Sequence, residues 1–199
     1  MADDLKQQKK KLRKEMAALL GALDAADVKR QSAEVEKKIW ESDWYKRAKV
    51  VSIYVSTVGE IETDRLIKRA YEDGKTVFIP RFEKGNLRMQ MVRLQNMQEF
   101  EILQPSLWGI RQFEQLDGRQ LFQDFGPIDL VLAPGVAFTR AGDRCGHGMA
   151  FYDKFFCEHK ELFGKSPFKA ALALREQVLD EVPTNETDVR LDAVIFADN

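Results

Sequence analysis

Ile128-Asp129-Leu130-Val131-Leu132-Ala133-Pro134-Gly135-Val136-Ala137-Phe138 leads to Gly142-Asp143-Arg144-Cys145-Gly146-His147-Gly148, and then to Phe151-Tyr152-Asp153-Lys154-Phe155-Phe156. The order reads as strand, loop, helix. Ile128 to Ala133 is a short apolar run with β-branched residues, as a strand buried on both faces requires. Pro134-Gly135 ends it. Gly142, Gly146 and Gly148 then alternate with Arg144 and His147. Glycine permits positive φ and close backbone approach, and arginine offers a fixed fork of donors suited to phosphate. Such a loop ahead of a helix N-terminus can cradle an anion. Asp153 falls in the first turn of that helix, where a metal-bound phosphate would meet it. A tight turn whose glycines serve geometry alone explains the composition equally well. The spacing is neither Gly-x-x-x-x-Gly-Lys-Ser/Thr nor Gly-x-Gly-x-x-Gly.

Working outward, the same alternation recurs. Lys49 to Val55 is a strand, Ser56 to Glu60 a loop, and Leu66, Ile67, Ala70 and Tyr71 stripe a helix with Thr63 as its N-cap. Asp73-Gly74 closes that helix and Thr76 to Arg81 is the next strand. A short βαβ connection makes the two strands parallel, so Glu60 lies at a strand's carboxyl end, where open α/β sheets bind ligands. Leu87 to Leu94 alternates and predicts an exposed strand or hairpin arm. Pro105 to Arg111 is an irregular loop, and a tryptophan such as Trp108 in a loop is usually an anchor into the core. A helix from Met149 to Leu162 and strands at 169–174 and 191–196 complete the pattern. Between the last two, residues 182–189 read as a surface turn.

The N-terminal 40 residues or so are helical. Leu5, Leu12, Met16, Leu19 and Leu20 recur at helical spacing over residues 3–20, and Lys6, Lys9, Lys10, Lys11, Arg13 and Lys14 crowd the other side. That basic run is either a solvated face or a clamp over phosphates. Lys9 and Arg13, four residues apart, share one face. A second helix spans residues 27–40, with Ser42 to Tyr45 a turn. The fold expected is a three-layer α/β/α sandwich with a mainly parallel central sheet and an N-terminal helical arm, one domain over residues 1–199.

The 199 residues carry 31 basic and 32 acidic side chains, a net charge of -1. That balance gives no footprint for nucleic acid or an acidic membrane. A chain of this size buries about 70% of its unfolded surface without disulfides. Its two cysteines, Cys145 and Cys157, are too few for a disulfide framework. Cys157, among Phe155, Phe156 and Leu162, reads as core. Cys145-Gly-His147 and Cys157-Glu-His159 could supply four zinc ligands, although structural zinc pairs are usually spaced more widely. No apolar run approaches the roughly 20 residues of a membrane span, and Asp3, Asp4 and Glu15 interrupt the basic N-terminal stretch, unlike a transit peptide. A cytoplasmic monomer is expected.

Gly142 to Lys154 resembles the signature of the 5-formyltetrahydrofolate cyclo-ligase (5,10-methenyltetrahydrofolate synthetase) family, roughly Gly-x-Arg-Leu-Gly-Arg/His-Gly-Lys/Gly-Gly-Tyr-Tyr-Asp. Further landmarks cover most of the chain: the basic Lys9/Arg13 helix, Glu60-Ile61-Glu62-Thr63, the Pro80-Arg81 strand ending, Trp108-Gly109-Ile110-Arg111 and Val182-Pro183 through Asp188. The resemblance implies ATP- and Mg2+-dependent closure of 5-formyltetrahydrofolate, with or without a polyglutamate tail, to 5,10-methenyltetrahydrofolate with release of ADP and phosphate. An iminium phosphate would be the intermediate, and no covalent catalytic residue is needed. It implies folate contacts from Val55, Glu60, Met89, Trp108, His147 and Tyr152. It implies ATP contacts from Lys9, Arg13, Arg144, Cys145, Gly146, His147, Gly148, Met149, Ala150, Phe151 and Tyr152, with Asp153 and Asp188 holding the metal. Departures are His147 for arginine, Cys145 for leucine, Met149, Ala150 for glycine, Phe151 for tyrosine, and Gln112-Phe113 in place of Pro-x-Pro. They leave two alternatives: a folate- or nucleotide-binding homologue without turnover, and another phosphate-handling α/β enzyme.

Overall fold

A computed structural model describes residues 2–198. The chain opens with helices α1 (Ala2–Gly21), α2 (Ala25–Glu41) and α3 (Asp43–Arg47), followed by β1 (Val50–Ile53), α4 (Asp64–Glu72), β2 (Thr76–Arg81) and β3 (Gln90–Arg93). A short helix α5 (Met97–Glu101) precedes the two-residue strands β4 (Gln104–Pro105) and β5 (Arg111–Gln112), which bracket a single 3-10 turn at Leu107–Gly109. Then come α6 (Phe122–Phe125), β6 (Leu130–Ala133), β7 (Ala137–Thr139), β8 (Arg144–Cys145) and α7 (Phe151–Phe163). The last strands are β9 (Phe168–Ala173), β10 (Val178–Leu179) and β11 (Ala193–Phe196).

The main sheet runs β11-β9-β6-β1-β2-β3, and every pairing except β2 with β3 is parallel. Side chains alternate across it as the pleat demands. Val51, Ile53, Val77, Ile79, Leu130 and Leu132 pack with Val35 and Ile39 of α2 and Leu66, Ile67 and Ala70 of α4. Phe78, Val131, Ala133 and Ala171 face the other way, into Phe122 of α6 and Phe155 and Phe156 of α7. These are the three expected layers. Helix α1 docks through Met16, Leu12 and Leu20 on Val136, Ala137, Cys145 and Val182, with Leu20 also packed against the first cluster. Among the described residues no helix is long and apolar enough to cross a membrane.

Several local expectations change. Ser42 to Tyr45 is the start of α3, because the Tyr45 N–H donates to the Ser42 hydroxyl at 3.4 Å. The 137–145 segment is a β-hairpin in a second sheet, β10-β7-β8, rather than open loop. Strand β3 is not an exposed arm: Met91 and Val92 are fully buried, one on each face, with Leu121 bridged to Val92 beyond the edge. Cys157 is exposed, because α7 turns Phe155, Phe156 and His159 inward.

Chain order reverses between β1 and β6. From β1 the chain moves outward to β2, whereas β6 is followed by β9 and β11 on the opposite side. The crevice beyond the carboxyl ends of those two central strands is where such sheets bind ligands.

His159 is wholly buried beneath this sheet. The Ile128 N–H donates to its Nε2 at 3.0 Å, so the ring proton sits on Nδ1 and is donated to the Lys165 carbonyl at 2.9 Å. Burial holds its pKa below the ordinary histidine value. The neutral ring therefore stabilises the fold above the unfolded value of about 6.5, and that contribution is lost as pH falls below it. Thermal melts should show a falling Tm from pH 7.5 to 5. His159→Phe, which cannot titrate, should melt lower at pH 7.5 but lose less over that interval. An unchanged slope would count against this assignment.

Candidate functional site

The crevice opens into a cavity of about 750 Å3. Tyr54 and Val55 follow β1, Pro80 lies near the end of β2 with Phe82 just after it, and Pro134 follows β6. The cavity thus sits on the carboxyl edge of the three central strands, with a polar end, a carboxylate midway and an aromatic end.

The polar end is built from three distant pieces of chain. Lys9 and Arg13 reach in from one face of α1, as their spacing requires. Lys9 Nζ lies 2.5 Å from Asp188 Oδ2, and Arg13 Nε donates to the Gly146 carbonyl at 2.7 Å. Arg144 Nη2 donates to both oxygens of Asp153 at 2.9 Å. The Val189 N–H donates to Asp153 at 3.0 Å and the Asn185 N–H to Asp188 at 2.7 Å, so both carboxylates are fixed on one C-terminal turn. They are hard oxygen donors of the kind magnesium takes together with phosphate oxygens. Among the described residues no group of three or more acidic, His or Cys side chains converges, so the remaining ligands would come from the substrate and water.

The loop's glycines divide between the two readings. A Cβ on Gly142 would lie 2.2 Å from the Leu191 carbonyl oxygen, so this glycine serves packing. Gly148, at φ 108°, faces the Arg13 guanidinium across the cavity wall. Ala150 occupies the left-handed region at φ 53° as the residue preceding α7.

Midway, Glu60 is held by Thr57, whose N–H and hydroxyl both donate to Oε2, at 2.8 and 3.0 Å. Its other oxygen, Oε1, is 3.7 Å from His147 Nε2. Thr63 is the residue preceding α4 but does not cap it. Its hydroxyl donates to the Tyr54 carbonyl at 2.7 Å and accepts from Ser56 N–H at 3.0 Å, tying down the loop that carries Glu60. Tyr152 is buried, and its hydroxyl has no partner within the protein. Burial first, then the Glu60 charge, pushes the phenol pKa far up, so Tyr152 keeps its proton. Arg144 Nε is a second buried donor without a partner. Both residues line the cavity, where an acceptor on a bound ligand would satisfy these donors.

The aromatic end is a triad. Phe82 lies 5.8 Å from Trp108 and 5.1 Å from Phe151, with Trp108 and Phe151 6.0 Å apart. Trp108 is 57% exposed and stands at the cavity wall instead of anchoring the core. Its left-handed φ of 59° points to a loop held by other groups. Those groups are Arg81 and Gln112. Arg81 donates to the carbonyls of Phe113 and Glu114 at 3.0 and 2.8 Å, and the Gln112 amide pairs with both the N–H and the carbonyl of Phe82 at 2.8 Å.

Of the residues expected at the site, Val55, Glu60, Trp108, His147, Tyr152, Lys9, Arg13, Arg144, Gly146, Gly148, Met149, Ala150, Phe151, Asp153 and Asp188 line the cavity. Met89 and Cys145 do not. Met89 packs with Phe78 and Met91 under the sheet, and Cys145 lies beneath Met16 of α1. Phe151, expected beside the nucleotide, turns its ring to Trp108. Sequence reasoning missed Leu5, Lys6, Thr57, Phe82, Asn185 and Thr187 on the wall. Helical spacing from Lys9 would have found Leu5 and Lys6; no local signal marks the others.

A profile of the 5-formyltetrahydrofolate cyclo-ligase family matches residues 5–197. A Caenorhabditis elegans protein named "Probable 5-formyltetrahydrofolate cyclo-ligase" is 49% identical over 193 residues, 96% of this chain and 94% of the relative. A Mus musculus protein named "5-formyltetrahydrofolate cyclo-ligase" is 34% identical over 96% of this chain and 94% of its own. The solved structure of an Aquifex aeolicus 5,10-methenyltetrahydrofolate synthetase superposes with a TM-score of 0.73 at 22% identity, covering 94% of this chain and 88% of that one.

Ala150 gives this region a direct test. A left-handed conformation costs a residue with a Cβ about 1–2 kcal/mol, which glycine avoids at a smaller cost in unfolded-state entropy. Ala150→Gly should raise Tm by about 2 °C, the shift of somewhat under 1 kcal/mol in a chain of this size. A lower Tm in calorimetry would mean that the strain is not there.

Proposed function

This chain belongs to the 5-formyltetrahydrofolate cyclo-ligase family, and on that premise we propose that it closes 5-formyltetrahydrofolate to 5,10-methenyltetrahydrofolate at the expense of ATP. The observation that carries the reading is one cavity with cations at one end, an aromatic triad at the other and Glu60 between. A polyphosphate and a flat ring bearing a reactive group are the two ligands such a cavity joins.

The chemical problem is a formamide, a weak electrophile whose oxygen leaves poorly. Transfer of the γ-phosphoryl group to the formyl oxygen forms a P–O bond there and breaks the bond to ADP. The neighbouring N10 amine then attacks the activated carbon and gives up its proton to solvent. The former formyl oxygen departs with phosphate. Positioning and charge neutralisation carry most of such a transfer. Lys9, Arg13 and the Gly146–Ala150 backbone would hold the phosphates. Glu60 Oε1, the oxygen not taken by Thr57, would accept from the reduced pterin's N–H groups. Trp108, Phe82 and Phe151 would flank its ring, and the Tyr152 hydroxyl would donate to the ligand. Asp153 and Asp188 would hold Mg2+, which when bound screens the charge of the transferring phosphate. Both cysteines are free, which supports a reducing compartment such as the cytoplasm.

The test is direct. With 5-formyltetrahydrofolate and magnesium-ATP, the near-ultraviolet band of the methenyl product should grow in a nucleotide-dependent way. Glu60→Gln should lower kcat/KM for the folate about 10- to 100-fold, the range of a hydrogen bond to a charged group, with little change in KM for ATP. Folate binding without product would favour the non-catalytic homologue. Neither binding nor product would overturn the reading.

A further inference from the structure

We propose that Thr57 is a positioning residue for the folate: by occupying one oxygen of Glu60 it fixes the carboxylate and presents the other oxygen to the pterin. The inference rests on the cyclo-ligase reading above and gives a task to a side chain that no motif of the chain marks. Glu60 cannot set its own direction. Its carboxylate ends a flexible stem, and the torsion of that last bond is broad. Thr57 removes the freedom. Its N–H and its hydroxyl both donate to Oε2, at 2.8 and 3.0 Å. A carboxylate oxygen offers two lone-pair sites, so these two donors fill Oε2. Oε1 is left open as an acceptor, 3.7 Å from His147 Nε2 on the cavity wall. Bonds to an ionised acceptor are the stronger class, and the Glu60 side chain is only 14% exposed, so water competes weakly with Thr57 for it.

The loop is shaped for this contact, yet its path is held without it. Residues 57–60 form a turn in which the Glu60 N–H donates to the Thr57 carbonyl at 3.3 Å, with Gly59 at φ 85°. The turn brings the side chain of its fourth residue back to its first. The base of the loop is fixed separately. The Ser56 N–H donates to the Thr63 hydroxyl at 3.0 Å, and the Thr63 N–H donates to the Ser56 hydroxyl at 3.1 Å. Loss of the Thr57 hydroxyl therefore leaves the backbone in place and loosens the carboxylate. Oε1 is then free to turn to the His147 ring, away from the position at which it would meet the pterin. A group already held in its bound orientation binds with a smaller ordering cost, and such support decides how tightly a site is set.

The test is steady-state kinetics, followed by the methenyl band, on the full chain and on Thr57→Val, Thr57→Ser, Glu60→Ala and Thr57→Val combined with Glu60→Ala. Thr57→Val exchanges the hydroxyl for a methyl group and keeps the backbone N–H. It should raise KM for 5-formyltetrahydrofolate about threefold to tenfold, the range of one net hydrogen bond. The kcat should change little, as when binding common to ground and transition states is lost, and so should KM for ATP. Thr57→Ser keeps the hydroxyl and should restore the folate KM. On the Glu60→Ala background Thr57→Val should cost nothing further, because it acts through the carboxylate. An unchanged folate KM in Thr57→Val would overturn the assignment. So would an equal loss on the Glu60→Ala background, the sign that Thr57 touches the folate itself, or a parallel rise in KM for ATP, the sign of a loosened site. The cyclo-ligase reading falls separately, if the unaltered protein gives no product. Calorimetric affinities of the same variants for 5-formyltetrahydrofolate then decide on Thr57 by the same comparisons, and absence of folate binding by the unaltered protein would overturn both.

Discussion

The Asp153 carboxylate joins pieces of chain that the sequence keeps far apart. It sits in the first turn of α7, accepts both bonds from Arg144 of the β7–β8 hairpin, and accepts from the Val189 N–H of the C-terminal turn. That turn carries Asp188, which in turn holds Lys9 and with it the first half of α1. One carboxylate at the head of this chain of contacts orders the whole polar end of the cavity. Its exposure of 14% sets the strength of the arrangement, since surface ion pairs contribute little and enclosed ones are expensive to break.

The aromatic end is ordered by different means. Strand β2 ends on Arg81, with Phe82 next, and the later chain folds back so that Gln112 pairs with the Phe82 backbone as a strand would. A side-chain amide takes the place of a ladder rung there. Arg81 then fixes the next two carbonyls, and the Trp108 loop between these anchors is left in a conformation that its own residues disfavour. The two ends are therefore set by separate contacts, beyond β2 on one side of β1 and beyond β6 on the other, and the β1 loop with Glu60 spans the gap between them.

Much of this was legible beforehand, for reasons of periodicity. Val51 and Ile53, or Leu130 and Leu132, pack on one face and Val131 and Ala133 on the other, so apolar runs gave the strands, and the βα alternation gave the parallel sheet and the edge on which ligands gather. Lys9 and Arg13 were legible because four residues bring side chains to one helix face. The hairpin at 137–145 was not, because its short strands look like loop when glycine and proline surround them. Met89 and Cys145 could be placed only by resemblance, and the residues differ in environment from what that implied: both side chains point into apolar clusters. Gln112 registered as a departure from the family pattern, whereas its pairing with Phe82 depends on a fold-back that no spacing encodes.

Tyr152 and Arg144 bring a conflict between stability and binding into the open. Each leaves a buried donor without an acceptor, and such a group costs about 1–3 kcal/mol. A protein selected for stability alone would remove them; phenylalanine would fill the Tyr152 site without the penalty. Their retention in the cavity wall, beside the strained Ala150, fits a site whose hydrogen bonds are completed by what it binds. The same ligand that satisfies them stabilises the folded chain by mass action. Tyr152 and Arg144 thus tie the stability of the cavity wall to the acceptors of the ligand it holds.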